Sequence, residues 1–289
     1  MDLGVVFPQT EIGNDPSAIR DYAQAAEGAG YGHLLVYDHV LGTDPDRPGG
    51  WSGPYTHESP FHEPLVLFGY LAAVTERLEL VTGILILPQR QTVLVAKQAA
   101  EVAILSGGRL RLGVGVGWNA VEYEGLGENF GNRGRRIEEQ IALLRALWSQ
   151  SSISFEGHYH RVTKAGINPR PAGDTIPIWM GGSAEPVIER AGRLADGWFP
   201  QYRDPAELTA GIERLHESAR AAGRDPTTIG IESGISIGGE KTSQTVEFAR
   251  RLEEAGATHL SVNSMGAGLT SPQQHIEAIR AFADAYRTA

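Results

Sequence analysis

Residues 78–117 read LELVTGILILPQRQTVLVAKQAAEVAILSGGRLRLGVGVG, and this stretch decides the fold class. Two apolar runs, Leu78–Ile84 and Leu110–Val114, flank a helical window that ends at Gly108, a residue suited to a left-handed C-cap. Nearly continuous apolar runs are typical of strands that are buried on both faces of a parallel sheet. The stretch therefore predicts a strand–helix–strand unit with parallel strands.

The same alternation continues along the chain in both directions. Three helical windows begin with an N-cap residue followed by proline, at Asp15-Pro16, Asp204-Pro205 and Ser271-Pro272. Eight regular units favour a closed barrel, which has no exposed edge, over an open doubly wound sheet. We therefore predict an α/β fold, a single (β/α)8 TIM barrel that forms one domain over residues 1–289. The eight apolar runs are Leu3–Phe7, Leu34–Tyr37, Leu78–Ile84, Leu110–Val114, Ile176–Met180, Gly197–Phe199, Ile229–Ile235 and Leu260–Val262.

Two stretches interrupt the alternation. Residues 42–62 form a long loop, rich in proline and glycine, after the second predicted strand. Residues 149–175 contain a small insertion before the fifth strand, with a hairpin that turns at Gly157. Long loops in compact domains are usually functional or mobile. Because the first loop follows a strand, we expect it on the catalytic face of the barrel, where it could act as a lid.

Composition and charge exclude several classes of protein. The chain of 289 residues has 25 Lys and Arg against 35 Asp and Glu, so it lacks the basic surplus of a nucleic-acid-binding protein. The absence of cysteine excludes a disulfide scaffold, a thiolate metal site and a cysteine nucleophile. The apolar stretch around Leu85–Leu87 is far shorter than the ~20 residues of a membrane span, and Met1–Gly4 lacks the positive region of a signal peptide. We expect a soluble, cytoplasmic enzyme without a membrane partner.

Chemistry is expected at the C-terminal ends of the barrel strands. Asp38-His39 is an acid–base pair at such an end, and a histidine can exchange a proton near neutral pH; alternatively, His39 caps a loop carbonyl. Gly113–Asn119 and Gly181–Ser183 also follow strands, where glycine lets the backbone approach a ligand or a phosphate; alternatively, both are ordinary turns. His57 and His62 lack the spacing of metal ligands, so no metal site is predicted.

Several motifs, taken in their order and spacing, identify a family. These motifs are Asp38-His39, Gly83-Ile84-Leu85-Ile86-Leu87-Pro88, Ala96–Ala100, Leu105–Arg109, Gly113–Asn119 with Glu122-Tyr123, Pro177–Gly182 and Ala195–Trp198. With them the sequence resembles the luciferase-like flavin and deazaflavin oxidoreductases, most closely the branch that depends on coenzyme F420, and the resemblance covers essentially the whole chain.

The resemblance implies a deazaflavin ring, or alternatively an FMN ring, at the C-terminal mouth of the barrel. It implies that His39 is the catalytic, proton-handling residue and that Asp38 binds the cofactor. A non-prolyl cis peptide bond at Gly83–Ile84 would press a bulge against the back of the ring. Further cofactor contacts are implied by similarity to the sugar-phosphate dehydrogenases, at Ile86, Val116, Gly117, Gly181, Gly182, Ala184 and Glu185.

One position departs from those dehydrogenases. They carry a catalytic glutamate directly after the last glycine of the fourth-strand turn, whereas this chain has Trp118, which cannot act as a base. A basic cluster for a sugar phosphate is also not evident, so sugar-phosphate dehydrogenase activity is not expected. Trp118 and Trp179, near strand ends, predict a flat, hydrophobic or conjugated substrate, whereas Trp198 fits core packing better.

We therefore predict an F420-dependent oxidoreductase that moves a hydride between the deazaflavin C5 and a small organic substrate. One alternative is an FMN-dependent luciferase-like monooxygenase that uses O2 and reduced flavin supplied by a partner reductase. Another is a non-catalytic deazaflavin-binding protein. A homodimer and a flavin or F420 reductase are the protein partners considered. A cofactor-free lyase or isomerase is disfavoured, because no lysine lies clearly at a strand end.

Overall fold

Eight strand positions close into a parallel barrel in the computed structural model, which describes residues 1–238 and 241–289. The predicted TIM barrel is therefore confirmed. The strands run in the order β3-β2-β1-β11-β10-β9-β8-β5-β4, and pairing of β3 with β5 closes the barrel. Two further strands, β6 and β7, form a separate hairpin. The bounds of all strands are β1 Asp2–Val6, β2 His33–Val36, β3 Glu79–Thr82, β4 Leu85–Ile86, β5 Leu110–Gly115, β6 Ile153–Glu156, β7 Arg161–Ala165, β8 Ile178–Gly181, β9 Gly197–Phe199, β10 Gly230–Ser236 and β11 His259–Asn263.

Helices surround the barrel and begin where the sequence predicts. The side chains of Asp15, Asp204 and Ser271 each accept a backbone N–H of the first helical turn, which confirms the three predicted N-caps. In the described ranges, no helix is long and apolar enough to cross a membrane. The bounds are α1 Pro16–Gly28, α2 Pro64–Val74, α3 Thr92–Leu105, α4 Ala120–Gly125, α5 Arg133–Ser149, α6 Glu185–Leu194, α7 Pro205–Ala221, α8 Thr242–Glu254 and α9 Pro272–Thr288.

The third barrel strand differs from its prediction. The sequence predicts one strand over Leu78–Ile84, but the structure divides it into β3 and β4 at a cis peptide bond between Gly83 and Ile84. The side chain of Ile84 lies where a Cβ atom on Gly115 or Gly181 would stand, so glycine at both positions makes room for the bulge. The two parts pair with different segments of β5, and together they fill one position of the barrel.

The predicted insertion is a two-stranded antiparallel hairpin of β6 and β7. Its turn begins at Gly157 as predicted, because the Gly157 N–H donates to the His160 carbonyl at 2.9 Å. The carboxylate of Glu139 on α5 accepts the backbone N–H groups of His158 and Tyr159 and contacts His160 Nδ1 at 2.8 Å. The hairpin histidines are therefore engaged in structural contacts with α5.

A buried ionic network fills the barrel interior near the N-terminal ends of the strands. Glu232 contacts His33 at 2.8 Å, Arg111 at 2.6 Å and the hydroxyl of Ser261. Burial raises the pKa of Glu232, but His33 and Arg111 more than offset this and lower it to about 2. Each of these side chains has a partner in the network, so the network is a structural element of the barrel. We call it the floor of the barrel.

Candidate active site at the mouth of the barrel

A cavity of about 480 Å³ opens at the C-terminal ends of β2, β4, β5 and β8. A second cavity of about 540 Å³ adjoins it and shares Tyr37, Ile84 and Gly181 with it. Both volumes are typical of small-molecule sites. The structure brings together most residues predicted from the sequence, and the first cavity is lined by Asp38, His39, Gly83, Ile84, Ile86, Val116, Gly117, Trp118, Gly181, Gly182 and Ala184.

His39 lies at the cavity wall with its side chain 12% exposed. Its Nδ1 is 3.2 Å from Oε1 of Glu122, and the same oxygen accepts the backbone N–H groups of Val40 and Leu41. Two backbone N–H groups already donate to this carboxylate oxygen, so it is placed to accept from Nδ1 as well when Nδ1 carries the proton. The other ring nitrogen, Nε2, makes no hydrogen bond to any described residue, and it is the atom available to a ligand.

Asp38 faces away from His39 and supports the neighbouring strand. Its carboxylate accepts the N–H of Ile86 at 2.9 Å and two N–H groups of Arg90 at 2.6 and 3.3 Å. Burial raises the pKa of Asp38, and the Arg90 guanidinium and the Ile86 N–H act in the opposite direction. Because Arg90 also contacts Glu63 at 2.9 Å, the pair ties β4 to the start of α2. Asp38 therefore acts on the cavity mainly by holding Ile86 in place.

The apolar side chains of Ile84 and Ile86 line the cavity, and we call this pair the ledge. The ledge depends on glycine in the adjacent turns, because a Cβ atom on Gly115, Gly117 or Gly181 would overlap one of the two isoleucine side chains. An apolar wall in a cavity of about 480 Å³ fits one face of a planar tricyclic ring. The residues present therefore fit the ring system of a flavin or deazaflavin.

The start of α6 offers backbone donors to the same cavity. The N–H groups of Ser183 and Ala184 have no hydrogen-bond partner within residues 1–238 and 241–289, and both residues line the cavity. The side chain of Ser183 accepts from Gln201, and the N-cap position belongs to Ala184. Free N–H groups at the N-terminus of a helix suit a phosphate, so this edge fits the phosphate that the two cofactors share.

Aromatic side chains enclose His39 from the solvent side. The rings of Tyr55 and Phe61 lie 5.0 and 4.7 Å from the imidazole, and Trp118 lies 5.8 Å from it. Trp51 stacks on Trp118 at 5.7 Å. We call Trp51, Tyr55, Phe61 and Trp118 the aromatic cap. Three of its members come from the long loop after β2, so that loop lies over the mouth of the barrel.

Two predicted site residues do not join the cavity. Trp179 is 5% exposed and packs inside the barrel between Phe199 and His259, under the Arg111 guanidinium. The prediction that it contacts substrate does not fit this position, and we withdraw it. Glu185 is exposed on α6, is absent from the cavity lining, and its nearest charged contact is Arg214 at 3.7 Å. A direct cofactor contact from this side chain is not supported either.

Trp198 is fully buried, as its sequence context predicts. Its Nε1 donates to the carbonyl of Gly182 at 2.8 Å and so helps to position the turn before α6. Sequence reasoning missed Glu122 and Arg90 as partners of the site. Asn119 and Glu122 have the spacing of a helix capping box, a local signal that gives no hint of contact with His39.

The histidines of the long loop after β2 do not belong to a cluster of potential metal ligands. Across the part of the chain that the structure describes, no group of three or more His, Cys, Asp or Glu side chains is arranged to hold one. His62 instead packs its ring against Phe7 at 6.0 Å.

The chain is similar in sequence to several known proteins. A model of the luciferase-like monooxygenase family matches residues 1–244. An uncharacterised protein of Mycobacterium tuberculosis is 35% identical over 290 residues, which cover 96% of this chain and 97% of that protein. The F420-dependent hydroxymycolic acid dehydrogenase of the same organism is 32% identical over 309 residues, covering 98% of this chain and 80% of the enzyme. The FMNH(2)-dependent dimethylsulfone monooxygenase of Pseudomonas fluorescens is 29% identical over 263 residues, covering 88% and 67%.

A solved structure shares the fold over nearly its whole length. It is an F420-dependent secondary alcohol dehydrogenase in complex with an F420–acetone adduct, with a TM-score of 0.81 and 19% sequence identity. The superposition covers 99% of this chain and 99% of that one. At this identity the likeness establishes the fold alone.

Proposed function

The chain belongs to the luciferase-like monooxygenase family, and on that premise we propose that it is an oxidoreductase dependent on coenzyme F420. In this proposal it transfers a hydride between the deazaflavin C5 and a small organic substrate, and residues 1–289 act as one domain. The observation that carries the proposal is the pairing, in one cavity, of the apolar ledge of Ile84 and Ile86 with His39, whose Nε2 makes no hydrogen bond to a described residue.

In this proposal, different residues of the cavity contact different parts of the cofactor. The ledge of Ile84 and Ile86 would support the ring from behind, and the turns at Val116–Gly117 and Gly181–Gly182 would border it. The N–H groups of Ser183 and Ala184 would bind the phosphate. When bound, the deazaflavin supplies or accepts the hydride at C5. The ledge, the turns and the aromatic cap would orient substrate and cofactor and exclude water.

His39 handles the proton that accompanies hydride transfer. When an alcohol is oxidised, its hydroxyl proton must leave, and the lone pair on Nε2 of the neutral imidazole can accept it. When a carbonyl is reduced, its oxygen gains negative charge, and the imidazolium donates the proton from Nε2. In both directions Nδ1 keeps its proton toward Glu122.

The aromatic cap favours a flat substrate that carries no anionic group. An anion placed against the rings of Trp118, Tyr55 and Phe61 would meet the negative faces of their π systems. A conjugated ketone or enone can stack on the indole of Trp118 instead. We expect Trp118→Ala to raise KM about tenfold for an aryl ketone, roughly 1.4 kcal/mol of lost contact. A change of the same size for acetone would argue against stacking.

Association with a second copy of the chain is part of the proposal. Helix α2 exposes Val66 and Tyr70, which are 72% and 37% accessible, and α3 exposes Leu94, which is 51% accessible. Because α2 and α3 pack against each other, these exposed apolar side chains favour burial in an interface. Sedimentation velocity on wild type and Val66→Glu tests this, and a monomer in both samples would contradict it.

The second candidate function is an FMN-dependent monooxygenase. The 29% identity to an FMNH(2)-dependent monooxygenase favours it, and the ledge would accept either ring system. This function requires O2 and a reductase that delivers reduced flavin, whereas the F420 reaction needs neither at the hydride-transfer step.

Titration of the purified protein with F420 and with FMN separates the candidates. Under the leading proposal, intrinsic fluorescence reports binding of F420 at least about tenfold tighter than FMN, a difference of about 1.4 kcal/mol. Anaerobic turnover with a panel of ketones, enones and alcohols then follows F420 absorbance. Tighter binding of FMN with O2-dependent turnover would favour the monooxygenase. Tight F420 binding without turnover would favour a non-catalytic binding protein, and binding of neither cofactor would reject all three.

A further inference from the structure

We propose that Glu122 is a positioning residue that holds the His39 imidazole in the tautomer protonated at Nδ1, so that Nε2 faces the reacting group. The kinetic consequence rests on the proposed function, because it requires His39 to handle the proton. The structural consequence does not, because the tautomer exists in the protein without cofactor or substrate.

The contact geometry around Glu122 is the first argument. The Glu122 side chain is 2% exposed, and its Oε1 lies 3.2 Å from His39 Nδ1. The same atom accepts the N–H of Val40 at 2.8 Å and that of Leu41 at 3.3 Å. One oxygen therefore fixes both the imidazole and the backbone that follows it. Such a contact restrains the ring plane as well as the proton position.

Helix capping does not account for this orientation. Glu122 is the third residue of α4, where a glutamate commonly reaches back to the backbone N–H of the N-cap. Here the N-cap side chain of Asn119 accepts the N–H of Val121, while Glu122 extends across to the segment after β2. The glutamate thus connects the turn after β5 to the turn after β2, which is about 80 residues away in sequence.

Charge is the second argument. Burying a carboxylate costs several kcal/mol unless donors or an opposite charge compensate it. Within the described residues, His39 is the one cationic or potentially cationic side chain in contact with Glu122. An imidazolium formed during turnover would therefore face a carboxylate at its Nδ1 side. In serine proteases an aspartate orients a histidine in this way, and its replacement by asparagine costs about 10⁴ in kcat by favouring the wrong tautomer.

The direct test is nitrogen NMR of cofactor-free protein labelled with ¹⁵N-histidine, with the His39 signals identified by their loss in His39→Gln. We expect the Nδ1–H tautomer in wild type. Glu122→Gln should retain it, unlike the amide variant of the serine proteases, because the N–H groups of Val40 and Leu41 turn the amide oxygen toward the position of Oε1, where it still accepts from Nδ1. Glu122→Ala should shift His39 toward the Nε2–H tautomer. An Nε2–H tautomer in wild type, or an unchanged tautomer in Glu122→Ala, would overturn the proposal.

A double-mutant cycle tests the kinetic consequence. We expect Glu122→Ala to lower kcat by about 10–10² with cofactor affinity changed less than about threefold, and to cost less than about twofold in a His39→Ala background. An equal loss in both backgrounds would show that Glu122 supports the fold and does not act through His39. Glu124→Ala, on the same helix with its side chain 75% exposed, is the matched control and should leave kcat unchanged.

The two proposals fail in distinguishable ways. If no cofactor supports turnover, the proposed function is rejected, while the NMR measurement still decides whether Glu122 sets the tautomer. If turnover is found and the tautomer in Glu122→Ala equals that of wild type, the role of Glu122 is rejected alone.

Discussion

Replacing Asp38 with asparagine tests whether the ledge is held by the ion pair beneath it. In the wild type, Oδ2 accepts the Ile86 N–H at 2.9 Å and an Arg90 N–H at 3.3 Å, while Oδ1 accepts Arg90 Nη2 at 2.6 Å. Asparagine has almost the same volume but no charge, and one of its two polar atoms is a donor. An amide nitrogen would therefore face either the Ile86 N–H or the guanidinium, donor against donor.

The magnitude follows from the burial of the pair. The side chains of Asp38 and Arg90 are 1% and 13% exposed. Removing one partner of a buried ion pair costs about 3–5 kcal/mol. Arg90 keeps Glu63 as a partner at 2.9 Å, so we expect the lower end, about 3 kcal/mol. At roughly 2–4 °C per kcal/mol, Tm should fall by about 6–12 °C.

Urea unfolding and F420 titration of Asp38→Asn measure the two consequences. We expect the free energy of unfolding to fall as above, and the dissociation constant for F420 to rise about tenfold because Ile86 loses its anchor. Asp174→Asn is the matched control: its carboxylate is 53% exposed and pairs with Arg170 at the surface, so it should lose less than about 1 kcal/mol. An unfolding free energy within about 1 kcal/mol of wild type in Asp38→Asn would refute the reasoning. Lost stability with unchanged F420 affinity would show that the ion pair does not support the ledge.

Three further predictions concern the imidazole, the ledge and the floor. His39→Ala should lower kcat by about 10²–10⁴ and change F420 affinity less than about tenfold, and full turnover in steady-state assays would reduce His39 to a positioning role. Gly115→Ala should displace the end of the Ile84 side chain and weaken F420 binding at least about tenfold in titrations. It should lower the free energy of unfolding by less than about 1.5 kcal/mol. Gly69→Ala, with open space around the added methyl group, is the control and should bind F420 normally. The pKa of Glu232 is lowered to about 2, so its ionised form stabilises the fold above its unfolded-state pKa, and this contribution is lost as pH falls toward 2. Glu232→Gln should therefore be less stable by about 3 kcal/mol at pH 7, with the gap narrowing in urea unfolding at pH 3, and a pH-independent gap would contradict the linkage.

The elements of the barrel were predictable because their signals are local. A capping side chain such as that of Asp15 or Asp204 accepts an N–H only two residues away, so both partners of the hydrogen bond lie in the same short stretch of sequence. The third strand was predicted only in part. Its apolar run continues through Gly83–Ile84, and the break depends on the space left by Gly115 and Gly181 on other strands. No local pattern contains that information.

The candidate site was predictable to the extent that strand ends determine it. The rule that barrel chemistry lies at the C-terminal ends of strands selected His39, and the resemblance to a family selected the bulge at Gly83–Ile84. The partners of these residues were not predicted. Arg90 and Glu122 are about 50 and 80 residues from the side chains they contact, at spacings that no secondary-structure period describes.

By itself, the sequence determined the order of strands and helices, the parallel direction of the strands and the end of the barrel that carries the mouth. Tertiary structure alone decided which way each strand side chain points. Strands of a parallel barrel are covered on both faces, so their sequences are apolar at consecutive positions. No alternation of polar and apolar residues then shows which side chains point into the barrel and which point toward the helices. Trp179 could therefore be assigned to the mouth by its position near a strand end. In the barrel it points inward, because Gly197 on the neighbouring strand β9 and Gly230 on the next strand, β10, leave the space that the indole fills.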